Sequence, residues 1–152
     1  MYNVQDVIDW LLSHEEMTPK KLQKMLYYCY VWVLTLCNDS ADNLENRLFN
    51  DEFQAWVHGP VLYDVYLEYR SNGFNPISQE MNAEAVPFSE DVADILNQVW
   101  DIYGGFNANQ LESLTHQEDP WINARKGLSP LERTNVVISD EDIFNYYIQR
   151  VN

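Results

Sequence analysis

The chain has 152 residues, of which 46% are hydrophobic and 14% aromatic, with five Trp and ten Tyr. This composition excludes a disordered chain and predicts a single domain, residues 1–152, with a hydrophobic core. Nine basic and 24 acidic residues give a net charge of −15. A negative charge of this size repels phosphate backbones, so we expect no direct binding of nucleic acid.

The cysteine pattern and the hydropathy place further bounds on the protein. Cys29 and Cys37 would lie about 12 Å apart along the axis of one helix, too far for a disulfide. Two unpaired thiols and no signal peptide predict a cytoplasmic protein. No uninterrupted apolar run approaches about 18 residues, so we expect no membrane span.

The second predicted helix is the centre of the expected core. Thr18 and Pro19 are typical of an N-cap and a first helical residue, and apolar side chains follow on nearly every side of the helix. A helix that is apolar all round is a buried one. The stripe that we expect to be buried is Leu22, Met25, Leu26, Cys29, Val33 and Leu36.

Three of the four lysines, Lys20, Lys21 and Lys24, lie in the first turns of this helix. The helix dipole disfavours a cation there by about 0.3–1 kcal/mol. One interpretation is that the acidic remainder of the chain neutralises them. The other is a basic contact spot for a protein partner. In that case, substitution of the three lysines is expected to weaken binding more than substitution of Arg70, Arg125 and Arg133.

Residues 38–50 are polar and rich in turn formers, and we expect a short helix over 44–48. The stretch 53–61 begins with alternation over residues 53–58, with Phe53, Ala55 and Val57 on one face, which predicts a short strand. Gly59 and Pro60 are expected to end the strand, with Pro60 as the first residue of the next helix.

Three aromatic or imidazole side chains near the predicted turn at Gly59 and Pro60 are candidates for partner contact. They are Trp56, His58 and Tyr63. The competing interpretation is structural, with Trp56 as a core anchor and His58 as a capping residue, because aromatic residues usually pack before they recognise a partner.

The remainder of the chain alternates loops and capped helices. Residues 74–87 predict a loop, and residues 136–138 are expected to pair as a strand with residues 53–57. The predicted N-caps are Ser89, Asn107 (in a capping box with Gln110) and Ser139. The predicted fold is mainly α: a compact single-domain helical bundle with a short two-stranded β element.

The sequence contains no motif typical of an enzyme, a metal site or a cofactor site. There is no zinc-site spacing, no phosphate-binding loop and no dinucleotide-binding turn. We therefore expect no catalytic residues, no metal and no cofactor. The alternative that stays open is a small hydrolase that uses His58 and His116.

Four short blocks, in this order, resemble one family. They are residues 21–28 (KLQKMLYY), 53–61 (FQAWVHGPV) with Tyr66 and Tyr69 beyond, 114–121 (LTHQEDPW) and 138–143 (ISDEDI). The chain is similar to the Panacea or SocA-like antitoxin family, which includes phage-associated GepA-like proteins.

The resemblance implies a protein that neutralises a co-encoded protein toxin by direct binding and is not an enzyme. It also implies a possible role as the adaptor that delivers the toxin to a Clp-type protease. Within the matching blocks, Gly59, Pro60, His116, Pro120 and Trp121 are expected to be structural. A DNA-binding regulator of a phage or mobile element is an alternative, against which the charge of −15 argues.

Overall fold

The computed structural model describes residues 1–80 and 88–151. Helices dominate the described chain and one small antiparallel sheet lies among them, which confirms the mainly α fold with a minor β element. No helix in the described ranges has the length and apolar character needed to cross a bilayer. The elements are α1 (Val4–Leu12), α2 (Pro19–Leu36), β1 (Gln54–Trp56), β2 (Gly59–Val61), α3 (Tyr63–Tyr69), α4 (Glu90–Tyr103), α5 (Ala108–Thr115), α6 (Asp119–Ala124) and α7 (Asp140–Tyr147).

Helix α2 is the centre of the core, as predicted. The side chain of Thr18 accepts a hydrogen bond from the backbone N–H of Lys21, and Pro19 opens the helix. Five other helices and β2 pack around α2, so its residues from 22 to 31 are all buried. The prediction was wrong for Leu36, which is 43% exposed because it borders an open depression where α2 ends.

The sheet is a hairpin, and here the prediction was wrong about Pro60. Residues 54–56 form β1 as expected, but Pro60 lies within β2, and α3 begins only at Tyr63. Pro60 is opposite Ala55, whose N–H donates to the far side of the strand, to Val136. The pair is therefore a non-hydrogen-bonded one, and β2 loses no ladder bond through the missing N–H of proline.

The expected pairing of residues 136–138 with β1 is confirmed as a single bridge. Gln54 lies opposite Val137, the N–H of Ala55 donates to the carbonyl of Val136 at 2.9 Å, and the N–H of Ile138 donates to that of Phe53 at 2.8 Å. Strand β1 thus has a partner on both edges. This arrangement fixes the chain after residue 130 beside the hairpin.

The predicted N-caps are also confirmed. Ser89, Asn107 and Ser139 each accept a hydrogen bond from the third helical N–H, and Asn107 forms the full capping box with Gln110. The helix expected over 44–48 is wrong, because Asn38 holds the backbone of Asn46 in an irregular conformation instead. The predicted loop over 74–87 is described only as far as residue 80; residues 81–87, with Pro87, lie outside the described residues.

Candidate functional site

An open groove of about 990 Å³ lies beside the hairpin. Its floor is the outer face of β1 and β2, one wall is the start of α3, and the opposite wall is the segment 131–135. We call it the aromatic groove. Its lining residues are Gln54, Trp56, Val57, His58, Val61, Tyr63, Tyr66, Leu131, Arg133, Thr134 and Asn135.

Three aromatic rings form a continuous surface in the aromatic groove. The ring of Trp56 meets that of Tyr66 edge-on, with centroids 4.9 Å apart, and lies 6.4 Å from that of Tyr63. The rings of Tyr63 and Tyr66 are 6.3 Å apart and nearly parallel. Tyr63 is 48% and Tyr66 40% exposed, so these rings present apolar area that the core does not use.

The structure brings together three of the residues selected from the sequence. Trp56, His58 and Tyr63 all line the aromatic groove. Sequence reasoning missed Tyr66 and Leu131, the second of which is 82% exposed. The spacing of three between Tyr63 and Tyr66 was a usable signal, because residues three apart share one helix face.

Residues of the 114–121 block hold the tip of the hairpin in place. The indole N–H of Trp121 donates to the carbonyl of Trp56 at 2.8 Å. The ring of His116 stacks on the Trp121 indole, with centroids 3.9 Å apart. Pro120 is buried in the first turn of α6. A structural role for these three residues stays a prediction.

Arg125 joins the floor of the groove to its second wall. Its guanidinium donates to the carbonyl of Ala55 at 2.8 Å, to that of Glu132 at 2.7 Å and to that of Ser129 at 3.3 Å. The residue is only 7% exposed. The sequence gives no signal for this role, because the three carbonyls that surround Arg125 come from a strand and a loop.

Only glycine fits at position 59, both because of the backbone conformation there and because of the atoms that surround it. Its φ of 113° is one that side-chain-bearing residues rarely adopt, and a Cβ at this position would lie 2.6 Å from Cε of Lys24. Lys24 itself is fully buried and donates to the carbonyl of Pro60 at 3.2 Å. Burial, assisted by the charge of Lys20, lowers the pKa of Lys24 to about 7.

A chain of charged groups runs along the rim of the groove next to Lys24. The carboxylate of Glu112 accepts from Lys20 at 2.7 Å and from His58 at 3.0 Å. Partial burial favours a higher pKa for Glu112, but the hydrogen bond and charge of Lys20, with the charge of His58, hold the pKa below its ordinary value. His58 keeps 74% of its side chain exposed.

The three lysines of α2 do not form one basic patch. Lys21 binds the carboxylate of Glu15 at 2.9 Å and the carbonyl of Gly104 at 2.7 Å. The contact role proposed for Lys24 is wrong for this folded surface, because a side chain that is 1% exposed cannot touch a partner. For Lys20 and Lys21, partner contact stays a prediction.

The two candidate histidines have different partners among the described residues: His58 bonds Glu112, and His116 stacks on Trp121. Burial lowers the pKa of His116, whose Nε2 is buried and has no hydrogen-bond partner in the described chain. No serine or cysteine of that part bonds His58 or His116. Nor does it contain a group of three or more His, Cys, Asp or Glu side chains placed to hold a metal ion.

The family of the chain follows from a family model described as "Antitoxin SocA-like, Panacea domain", which matches residues 22–122. This match covers more than half of the chain. The chain belongs to the SocA-like antitoxin family. Comparisons with the curated proteins and with the solved structures gave no match.

The matched part of this SocA-like antitoxin runs from α2 through the hairpin to the start of α6. It therefore includes the three rings of the aromatic groove and the Trp121 contact. Arg125 and the wall formed by residues 131–135 lie beyond it. One side of the groove thus belongs to the Panacea domain and the other to the segment that follows.

Glu118 ties the Panacea domain to the last helix of this antitoxin. Its carboxylate accepts from the hydroxyl of Tyr28 at 2.7 Å and from that of Tyr147 at 2.8 Å. Burial raises the pKa of Glu118 although the two hydroxyl bonds oppose this. The bonds join α2, the start of α6 and α7, so Glu118 stabilises the packing of these helices rather than the groove.

Proposed function

We propose that this antitoxin-family protein neutralises a protein toxin by direct binding, with the aromatic groove as the contact surface, and that it performs no catalysis. The observation that carries the proposal is the contiguous set of the half-buried Trp56 ring and the exposed rings of Tyr63 and Tyr66, on a hairpin held in place by the hydrogen bonds of Trp121 and Arg125. Exposed Trp and Tyr side chains on a fixed frame are typical of the residues that dominate protein interfaces.

The frame lowers the free-energy cost of binding. The floor and one wall of the groove are anchored in the protein: Trp121 bonds the hairpin, and Arg125 bonds the 131–135 wall. A surface that is already ordered loses less conformational entropy when a partner binds. This supports recognition by a pre-formed surface rather than by a segment that folds on binding.

The test uses the product of the neighbouring gene, if that product is toxic when it is expressed alone. Co-expression should restore growth, and calorimetry should detect a complex. We expect Trp56→Ala and Tyr66→Ala together to weaken the complex by about 30-fold or more, as loss of interface anchors does. Phe74→Ala is the matched control, because Phe74 is 97% exposed and lies outside the groove.

Three results would count against the proposal. They are a non-toxic neighbour, the absence of a complex, and a double variant that melts normally and binds the toxin with unchanged affinity. The amount of toxin in the rescued cells separates two mechanisms. A constant amount indicates neutralisation by binding alone, and a fall that depends on a Clp-type protease indicates delivery for proteolysis.

The same complex tests Lys20 and Lys21. If they contact an acidic surface of the toxin, changing both to glutamine lowers the association rate and its dependence on salt. An unchanged association rate at low salt would show that Lys20 and Lys21 serve only their ion pairs with Glu112 and Glu15 within the chain.

A further inference from the structure

We propose that the outer edge of residues 137–139 binds an extended segment of the toxin as an added β-strand. We call these three residues the open edge. The proposal rests on the proposed function, since it names the conformation in which a toxin segment continues beyond the aromatic groove. It follows from unpaired main-chain groups, from the composition of the surrounding segment, and from its position beside the groove.

The bridge that pairs Val137 with β1 uses only one edge of its segment. Residues 53–55 bond the carbonyl of Val136 and the N–H of Ile138. Val137 lies between these two bonds and therefore belongs to a non-hydrogen-bonded pair. The main-chain N–H and C=O of Val137 consequently point away from β1.

The open edge has three main-chain groups without a protein partner. Neither the N–H nor the C=O of Val137 forms a hydrogen bond within the described chain. Ser139 is also extended, with φ −72° and ψ 132°, so its N–H lies on the same edge, and it is unpaired among the same residues. Both residues are exposed, so these groups face water. They form the row of donors and acceptors with which an added strand pairs.

The composition of the segment favours strand pairing and gives the edge no protection against it. Four of the five residues from 134 to 138 are β-branched, a class that strands favour. Val136 and Val137 are 42% and 43% exposed. Edges that avoid pairing carry charged side chains, proline or a bulge, whereas residues 134–139 include no charged residue, Pro or Gly. The bridge to β1 therefore uses only part of the strand propensity of this segment.

The open edge continues the floor of the aromatic groove. Val137 lies opposite Gln54, and residues that lie opposite each other carry their side chains on the same face of a sheet. Gln54 lines the groove, and the 131–135 wall leads directly into the open edge. A strand added there would widen the groove floor. It would pack its own side chains beside Val137, a position that suits a β-branched or aromatic residue of the toxin.

A second copy of this chain is the alternative occupant, since two open edges would be able to pair with each other. Charge opposes this pairing, because each copy has a net charge of −15. Area opposes it as well, because a stable interface buries about 1,200–2,000 Å² and an edge of three residues supplies only a small part of that. A toxin segment would gain the remaining area from the adjoining aromatic groove.

The test uses two capped octapeptides of the sequence Lys-Thr-Val-Thr-Val-Thr-Val-Lys, one of which is N-methylated at its two central residues. Neighbouring residues of a strand face opposite edges, so the two methyl groups block both edges of the peptide. Binding to the full chain is followed by NMR, together with the exchange of the Val137 N–H with solvent. We expect the unmethylated peptide to bind about tenfold more tightly and, at saturation, to slow this exchange about tenfold or more. The N–H of Ile138, which already bonds Phe53, should change little.

Two substitutions at one position assign the effect to the main chain. Val137→Pro removes the N–H that faces outward but keeps both bonds to β1, which belong to Val136 and Ile138. We expect it to weaken binding of the unmethylated peptide about tenfold, followed at the Ser139 N–H. Val137→Thr keeps the N–H and the β-branched shape, and should change the affinity by less than about twofold. Melting curves show whether each variant is folded, and if Val137→Pro is not, the methylated peptide makes the same comparison on the natural chain.

Equal affinity of the two peptides, unchanged exchange at Val137, or full binding by folded Val137→Pro overturns the proposal. A concentration-dependent dimer that Val137→Pro abolishes also overturns it, because a second copy would then occupy the open edge. Failure of the proposed function looks different: the protein discriminates between the peptides, but the toxic neighbour does not bind. If the toxin binds through Trp56 and leaves the exchange at Val137 unchanged, only the proposal for the open edge fails.

Discussion

Replacing Lys24 with methionine should remove a pH dependence that the burial of this lysine builds into the fold. In the folded chain, burial lowers the pKa of Lys24 from 10.5 to about 7. The unfolded chain keeps the proton up to about pH 10.5, and the folded chain releases it near pH 7. Between these values the unfolded state binds more protons, so the free energy of unfolding of the natural protein rises with pH.

The magnitude follows from the two pKa values. At about 1.4 kcal/mol for each pH unit, the whole interval corresponds to about 5 kcal/mol, and the part between pH 7 and pH 9 to about 2 kcal/mol. Lys24→Met keeps most of the side-chain volume and removes the titration. It also leaves the carbonyl of Pro60 without its donor, a loss of about 1 kcal/mol that is independent of pH.

Urea unfolding at several pH values from 6.5 to 9, followed by tryptophan fluorescence, measures both effects. We expect a rising free energy of unfolding in the natural protein and a nearly flat one in Lys24→Met. Burial also raises the pKa of the Cys29 thiol, but that contribution is common to both proteins and cancels. Lys126→Met, at an exposed lysine, is the control. The same pH dependence in the natural protein and in Lys24→Met would refute the reasoning.

Three further substitutions test the frame. Leu26→Ala in α2 should lower the free energy of unfolding by about 2–5 kcal/mol, and a loss below about 0.5 kcal/mol in urea titrations would show that α2 is peripheral. Gly59→Ala should lower the free energy of unfolding by about 1–3 kcal/mol. The loss should exceed that of Gly73→Ala, because Gly73 also has a positive φ but has open space around it. Equal losses would contradict the contact with Lys24. His116→Asn should lower the melting temperature but leave toxin affinity per folded molecule unchanged; the reverse outcome would place His116 in the contact surface.

The helical framework could be predicted from the sequence because its signals are local. Thr18 and Pro19 mark the start of α2, and Ser89, Asn107 and Ser139 mark three others, through bonds made within one turn. The hairpin was only half predicted. Gly59 and Pro60 are typical of a strand end, and whether a proline can continue a strand depends on which edge its nitrogen faces, a property of the partner strand.

The charged residues were the hardest to predict because their surroundings come from distant parts of the chain. Lys24 follows Lys20 by one helical turn, yet the hairpin covers Lys24 and leaves Lys20 beside Glu112. Arg125 lies in a polar stretch. One of its three acceptors is in β1, and the other two are in the loop that follows Arg125 itself. Two of the three rings of the groove were predicted as candidates, because Trp56 and Tyr63 lie on either side of the recognisable Gly59–Pro60 turn signal.

The three acceptors of Arg125 are all main-chain carbonyls, and this has a consequence for the divergence of the family. Carbonyl oxygens are common to every amino acid, so the anchor places no demand on the identity of Leu131 or Arg133. Mutations can therefore replace the side chains of that wall one at a time, while its backbone stays in position. A descendant of this protein could change its partner without refolding its core.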